Sequence, residues 1–551
     1  MKIGIGQINM DLWNIADNTQ QVYNAIDTIG KDCEVLVFPE LTIPWSPGND
    51  MYENQSFIDQ QAQVPAQVQQ YLQSIQSDLT VILWYIQPDP TAEQPGGGVR
   101  KYNTAAVITK DTIKTTHKQN LCDYDVFYES RHMHPGRKYE NFAIGDEQST
   151  VTICEDLFNL ATDFQPLEHR DMQWVKTIFN LSSSPFADGK LYRRIEAMKH
   201  HAIKRNANVV YLNQVGAQDD NIFDGGSFII DKNGKLIHLS PQFKKSLAVV
   251  DTEQAHEDLS EKAKEIADDK YGQIDNAIKL WLQDYMKKSW IEKVVIGVSW
   301  GIDSSISLYY LSQVMPKRNI VAIYMPSKHS TNSQTDAHQL CENLWIKLHE
   351  REIQTRFDAI QDRHKKEFWN ELEHDNESEK IAYENIQARI RWNILMEISN
   401  LTPRSMIINN SNKTEMLMGY GTLHGDMIGA INAIGDLNKK EVYALANYIN
   451  QKDGNVIPTN IIHKPASAEL NVDQVDPFDY DRVSEAIDEL GHGSSIEDVV
   501  KKYNITEQEA KDYARRIRNM EYKRREFYPI ILKIKSPNMG IGRRYPVVRK
   551  A

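Results

Sequence analysis

Cysteine is scarce in this chain. Only Cys33, Cys122, Cys154 and Cys341 occur in 551 residues. They form no Cys-x-x-Cys pair and no zinc-ligand spacing, which argues against a disulfide framework and a structural zinc site. No apolar run approaches the roughly 20 residues that a membrane span needs. The opening MKIGIGQINMDL alternates like a strand and lacks the apolar core of a signal peptide. A cytoplasmic protein with no membrane partner is therefore expected. Positive charge is in deficit, since 63 Lys and Arg against 76 Asp and Glu leave a net charge of −13. Such a surface argues against general nucleic-acid binding. Glycine is short as well, at 27 residues, or about 5% where the usual share is roughly 7%. Tryptophan, at 10, is generous.

At roughly 100–200 residues per domain, the length allows two to four domains with ample core. Apolar or alternating runs at 2–8, 34–38, 80–86, 104–109, 150–154, 177–181, 208–212, 226–231 and 246–250 read as strands. Helical patterns at 17–30 and 191–206 fall between them, and Asn233-Gly234 marks a hairpin turn. These features make the first part, 1–255, a strand-rich α/β domain. The charged stretch 256–274 reads as a linker. From 275 the pattern changes to helix, the strand EKVVIGV, the loop SWGIDSS, a helix, the strand NIVAIYM and another helix. That order predicts a doubly wound parallel sheet of the nucleotide-binding kind over 275–551. Residues 363–382 read as a charged loop, 505–528 as a basic helix and the last twenty as irregular, and no internal repeat is visible.

Two places carry chemistry. Cys154, in STVTICEDLF, stands at a strand end before an acidic pair, where a thiol can act as a nucleophile. Glu40 closes the apolar strand of VLVFPELTI, whose surroundings would make it a better proton acceptor. Lys118, in THKQNLCDYDVF, is a cation able to stabilise a thiolate or an oxyanion. Taken singly, each is more often a buried thiol, a solvated strand-end carboxylate or a surface lysine. Together, with NLSSSPF, NQVGAQD and FDGGSF, the three segments resemble the nitrilase (carbon-nitrogen hydrolase) superfamily over about residues 1–250. That resemblance implies an αββα sandwich with Glu40 as base, Lys118 as oxyanion partner and Cys154 as nucleophile on an amide carbon. In the glutaminase members Tyr124, Ser184 and Lys190 match positions that hold glutamine. Cys122 replaces the family's usual Pro and is expected to bend its loop without touching the chemistry.

The loop IGVSWGIDSS lies between strand and helix, where backbone N–H groups converge on an anion. It resembles the SGGxDS loop of the ATP-pyrophosphatase fold. The segments ENIQARIRWNILMEISN, NNSNKTEMLMGYGTLHGDMIG, DLNKKEVYALA, PASAEL and RNMEYKRREF follow in the order found in glutamine-dependent NAD synthetases. The resemblance implies that ATP adenylates the carboxylate of deamido-NAD and that ammonia from the first site displaces AMP. It places Gly297, Ser299, Gly301, Asp303, Ser304 and Asn410 toward ATP, and Asn385, Glu415, Lys439 and Lys523 toward deamido-NAD. Asn410 stands where the family commonly has Thr. Asp303 and Glu415 are implied as Mg2+ ligands, a donor set suited to a hard dication. Glutamine, ATP and deamido-NAD are the implied small-molecule partners, and a homo-oligomer is the implied assembly.

Trp300 breaks the pattern. The family has Gly there, because the backbone must approach the phosphates closely. Trp13, Trp84, Trp174, Trp281, Trp290, Trp345 and Trp392 also match places where the family has Gly, whereas Trp45 and Trp369 are not placed by the resemblance. One shared cause accounts for all eight: a gene that spells glycine with UGA, translated under a table that reads UGA as tryptophan. The low glycine count agrees with it. The alternatives are a glutaminase whose synthetase domain is inactivated by Trp300, a non-catalytic nucleotide-sensing module, and a synthetase that amidates nicotinate mononucleotide. Ordinary core tryptophans are the default for any single one of these positions.

Overall fold

The computed structural model describes residues 1–535 apart from 46, 94–98, 138–139, 159–163, 170, 329–333, 368–374, 468–469, 472–473 and 527–529. The chain divides into two compact units, Met1–Leu280 and Trp281–Ala551. Among the described residues no helix is long and apolar enough to cross a membrane.

The first unit contains β1 (Lys2–Gln7), β2 (Val35–Val37), β3 (Thr80–Glu93), β4 (Val99–Ile108), β5 (Ile113–His117), β6 (Asn141–Ile144) and β7 (Glu147–Ile153). It continues with β8 (Val175–Ser182), β9 (Asn208–Asn213), β10 (Val215–Gln218), β11 (Asn221–Asp224), β12 (Phe228–Ile230), β13 (Leu236–Leu239) and β14 (Ser246–Asp251). One six-stranded sheet has the order β14-β1-β2-β3-β4-β5 and the other β13-β12-β9-β8-β7-β6, while β10 and β11 form a separate ribbon. Read from β14 in the first sheet and from β6 in the second, the succession of pairings is the same: one antiparallel, two parallel, then two antiparallel. The repetition lies in topology, which explains why no repeat is visible in the residues themselves.

Strand periodicity separates the layers. Ile3, Ile5, Val35, Val37, Ile82 and Ile86 point into a core shared with Val151, Ile153, Phe179, Leu181, Val210 and Leu212 of the second sheet. The alternate residues Leu36, Val81 and Leu83 face outward, under Val22 and Ile26 of the helix Ile15–Ile29 and Val68 and Leu72 of the helix Val64–Ser74. On the far side Ile195 and Met198 of the helix Lys190–Arg205 cover Ile178, Val209 and Phe228. The unit is an αββα sandwich. The stretch read from composition as a linker is helical over Ser260–Asp268, and Ala263 and Ile266 seat it on that last core. With Leu259, these few apolar residues hold the segment on the core, and the surrounding charge hides them.

In the second unit β15 (Lys293–Gly297), β16 (Ile320–Tyr324), β17 (Leu348–Glu350) and β18 (Ser405–Ile407) form a wholly parallel sheet in the order β17-β16-β15-β18. The order reverses between β15 and β18, as in doubly wound folds. Helices Gln354–Glu367 and Asn376–Leu401 take up most of the described part of the stretch read as a charged loop. The basic C-terminal segment is helical over Glu507–Asn519 and Glu521–Glu526, and most of the final irregular stretch lies outside the described residues.

Candidate active sites

The first cluster forms where strands end. β2 leads through Phe38-Pro39 to Glu40, β5 runs into Lys118, β7 into Cys154 and β8 into Ser183 and Ser184. Lys118 and Glu40 are both buried, and Lys118 Nζ donates to Glu40 Oε1 at 2.9 Å and to Glu129 Oε1 at 2.9 Å. The second Glu40 oxygen accepts the Ser183 backbone N–H at 3.0 Å. Asn103 Nδ2 joins the two carboxylates, at 2.8 Å from Glu40 and 3.0 Å from Glu129. Trp84 Nε1 in turn donates to Asn103 Oδ1. Burial opposes the Lys118 charge, yet Cys122, Glu129, Glu40 and Cys154 around it hold its pKa well above the ordinary lysine range. Burial, reinforced by the Glu40 charge, raises Glu129 above the usual carboxylate range against the pull of Lys118.

Cys154 occupies the turn between β7 and the short helix Glu155–Phe158, with φ at +44°. A non-glycine residue held in that region is strained, and such strain is common where a side chain is presented for chemistry. The acidic pair behind it has a structural task. Asp156 Oδ1 accepts the backbone N–H groups of Gln119 and Asn120, both at 2.9 Å, and Oδ2 accepts that of Ile153 at 3.1 Å. One carboxylate thus ties the segment after Lys118 to the turn carrying Cys154. Cys122 departs from expectation. Its sulfur lies 3.7 Å from Lys118 Nζ, and its thiol, hydrogen-bonded to Cys154 and buried, is pushed well above the ordinary range. Its side chain faces Lys118 and Cys154, because the loop folds it inward.

Of the residues implied for glutamine, Tyr124 is partly exposed and donates its hydroxyl to Glu155 at 2.8 Å. Ser184 is buried, with its N–H on Asn213 Oδ1 at 2.8 Å, and Lys190 begins the helix Lys190–Arg205. Arg194 fixes this corner. It pairs with Asp224 at 2.8 Å and donates to the carbonyls of Ser184 and Pro185 at 2.7 and 3.0 Å. Neither Glu129 nor Arg194 was recognised from sequence. Glu129 lies in a short 3-10 turn without periodicity, and Arg194 reads as one more cation on a basic helix.

The second cluster surrounds a cavity of about 430 Å³ at the carboxyl ends of β15 and β18. Gly297, Ser299, Gly301, Asp303, Ser304 and Asn410 all line it. Ser304 Oγ donates to the carbonyls of Ser299 at 2.9 Å and Gly301 at 3.1 Å, which curls the loop ahead of the helix Ile302–Val314. Asn410 Nδ2 donates to the Gly297 carbonyl at 3.1 Å, bridging the two strand ends, while its Oδ1 is buried with no hydrogen-bond partner among the described residues. Lys439 Nζ lies 2.5 Å from Asp303 Oδ2 and 3.1 Å from Glu415 Oε1. Asn412 caps the helix Lys413–Met418 through the Glu415 N–H and donates to Asp303 at 3.0 Å. Burial, with the charges of Asp303 and Asp476, pushes Glu415 up to about 7 against the opposing Lys439.

Two carboxylates beside one another are a suitable donor set for Mg2+. Among the described residues no three metal-ligating side chains gather, so substrate oxygens and water would complete the shell. Asn385 accepts the Thr422 hydroxyl at 2.7 Å at the cavity wall. Lys523 stands at the edge of this cavity, of which Gly421 is a lining residue. Its Nζ donates to the carbonyls of Gly419 and Gly421 at 2.9 and 2.8 Å, beside a separate depression with Asp512 and Arg516. Trp300 is 6% exposed and lines the cavity, with Lys464 Nζ 3.1 Å from its ring centre.

A thiol hydrolase unit followed by a nucleotide-binding parallel sheet defines a two-site amidotransferase. The carbon-nitrogen hydrolase family profile matches residues 2–257 and the NAD synthase profile residues 274–527. The glutamine-dependent NAD(+) synthetase of Synechocystis sp. is 30% identical over 561 aligned residues, covering 99% of this chain and 98% of the relative. That of Thermotoga maritima is 29% identical and covers 100% and 99%. The structure of the glutamine-dependent NAD+ synthetase from Acinetobacter baumannii in complex with ADP matches with a TM-score of 0.73 and 26% identity, covering 99% of this chain and 98% of that one. The Cytophaga hutchinsonii enzyme, at 20% identity and a TM-score of 0.81, shares the fold over 100% of this chain and 98% of its own. The chain belongs to the glutamine-dependent NAD(+) synthetase family.

Proposed function

We propose that this chain converts deamido-NAD(+) to NAD(+), with ATP as the activating substrate and glutamine as the nitrogen source. The observation that carries the reading is the presence, in one chain, of the Glu40–Lys118–Glu129 charge cluster beside Cys154 and of the Asp303–Lys439–Glu415 cluster beside a strand-to-helix loop. The Cys154 sulfur attacks the glutamine amide carbon while Glu40 accepts the thiol proton, and Lys118 faces the oxygen on which charge develops. Ammonia leaves, and water hydrolyses the thioester to glutamate.

In the second unit the loop Ser299–Ser304 meets the ATP phosphates at the helix N-terminus. The substrate carboxylate attacks the α-phosphorus and pyrophosphate leaves. Ammonia then attacks the acyl adenylate and releases AMP. Asp303 and Glu415 would hold Mg2+, which when bound supplies positive charge against the phosphate oxygens. Asn385 and Lys439 are assigned to the deamido-NAD(+) side, and Tyr124, Ser184 and Lys190 to glutamine. The resemblance supports a homo-oligomer and the composition a cytoplasmic location; light scattering that gives a monomer mass would remove the former.

The test uses enzyme purified from its own cells. With glutamine, ATP and deamido-NAD(+), the yields of NAD(+), AMP, pyrophosphate and glutamate should be equal. No ATP-dependent NAD(+) with either glutamine or ammonia would overturn the reading.

A further inference from the structure

Four of the nine described tryptophans stand where the backbone itself disfavours a side chain. Trp13, Trp45, Trp290 and Trp345 have φ of 68°, 68°, 55° and 58°, a region they share with nine of the described glycines. There the Cβ of an L-residue crowds the neighbouring carbonyl, so glycine is the default occupant and a bulky residue an outlier. Asn and Asp tolerate the region through local hydrogen bonds, and they account for Asn49, Asp125, Asn206, Asp219 and Asn455. An indole has no such recourse. Leu41, Gln76, Cys154, Phe243, Arg404 and His424 share the region too, so the angle alone does not name glycine.

The local hydrogen bonds say which residue belongs there. After the helix Lys270–Lys288, the Trp290 N–H donates to the Lys287 carbonyl at 3.3 Å and the Ile291 N–H to that of Met286 at 2.9 Å. After the helix Gln334–Leu344, the Trp345 N–H donates to Glu342 at 3.0 Å and the Ile346 N–H to Cys341 at 2.9 Å. Both are complete Schellman closures, with tryptophan at the position that glycine usually fills and an isoleucine after it. Packing offers no compensation, because Trp290 is 81% and Trp345 84% exposed. Trp13 is the third residue of the turn Asp11–Asn14, closed at 3.3 Å, and its ring stacks on Phe57. Trp45 is the addition from structure: it is buried and is not placed by the family resemblance, yet it has the same backbone. Trp84, Trp174, Trp281, Trp300 and Trp392 are not among the left-handed residues, and the backbone does not single them out.

We propose that positions 13, 45, 290 and 345 are glycine in the protein as its own cells make it, each spelled by a UGA codon, and that position 300 is too, there on its place in the cavity beside Gly301 and the glycine that the loop's resemblance implies. The consequence for function is at position 300 and rests on the phosphate-site reading above. The indole there lies under Lys464 inside the cavity, next to Gly301. Glycine leaves the backbone from Ser299 to Gly301 open to an anion and frees the Lys464 ammonium from the ring.

The test is peptide mass spectrometry of the protein purified from its own cells, over the tryptic peptides containing positions 290, 300 and 345, alongside the codons of its gene. Glycine masses and UGA codons at all three are expected. Tryptophan in any of these peptides overturns the proposal. A second readout uses the chain as written, made recombinantly. W300G should raise ATP-dependent NAD(+) formation from ammonia at least tenfold, and an unchanged rate would contradict the role given to position 300. If the native protein carries glycine at 300 and still makes no NAD(+), the proposed function fails while the residue assignment stands.

Discussion

Replacing Trp290 and Trp345 by glycine should stabilise the chain as written, although each change removes the largest side chain there is. Left-handed backbone costs an L-residue roughly 1–2 kcal/mol. Against that relief stands the greater freedom of glycine in the unfolded chain, about 0.4–1 kcal/mol. Lost packing adds little at either site, since both indoles face solvent. The net gain is about 0.5–1 kcal/mol per site. The sites are far enough apart in sequence to close two separate helices, so the gains should add to about 1–2 kcal/mol. For a unit of this size, roughly 2–4 °C per kcal/mol gives a rise of about 2–8 °C in the melting transition of the second unit. Differential scanning calorimetry of W290G/W345G against the parent chain measures it. An unchanged or lower midpoint would refute the backbone argument.

Four further outcomes follow from the two sites. Cys154→Ala should abolish glutamine use and leave ammonia-driven synthesis in enzyme with glycine at 300; loss of both activities would undo the two-site assignment. Glu129→Gln removes one of the two carboxylates on the Lys118 ammonium and should lower glutaminase kcat by about 100-fold or more, with ammonia-driven NAD(+) formation as the control. Asp303→Ala should end ATP-dependent synthesis with either nitrogen source, and retained synthesis would remove Asp303 from the phosphate site. Asp488 is held well below the usual carboxylate range: burial opposes its charge, but Lys413 at 2.7 Å and Lys535 at 2.5 Å outweigh it. Its stabilising effect is therefore complete above the ordinary carboxylate pKa and is lost as pH falls toward the depressed value. Asp488→Asn should cost about 3–5 kcal/mol at pH 7 and flatten acid denaturation below about pH 4, read from urea midpoints across pH.

What was legible in the sequence depended on local pattern. Glu40 and Cys154 each follow an apolar run read as a strand, so their place at strand ends could be anticipated, whereas the strand Ile113–His117 before Lys118 was not read and that residue was placed by the family resemblance. The parallel sheet of the second unit was equally plain, because EKVVIGV and NIVAIYM are short apolar runs divided by helices. Glu129 had no such marker, and its place on Lys118 arises from tertiary folding alone. The same is true of Cys122, which entered as a loop-bending substitution and proved to face Lys118. Asp156 entered only as part of the acidic pair after Cys154, and its binding of three backbone N–H groups comes from the fold. The helix Ser260–Asp268 was hidden by charge, since only a few apolar residues hold it down. Trp45 required the backbone angle itself, a quantity no residue pattern carries.

The central claim is that nitrogen released at Cys154 becomes the amide of NAD(+) through ATP activation. Enzyme from its own cells, given glutamine labelled with heavy nitrogen on the amide, ATP and deamido-NAD(+), should yield NAD(+) carrying the label in its carboxamide, one AMP for each. Glutamate formed with no labelled NAD(+) would contradict the account and leave a glutaminase alone.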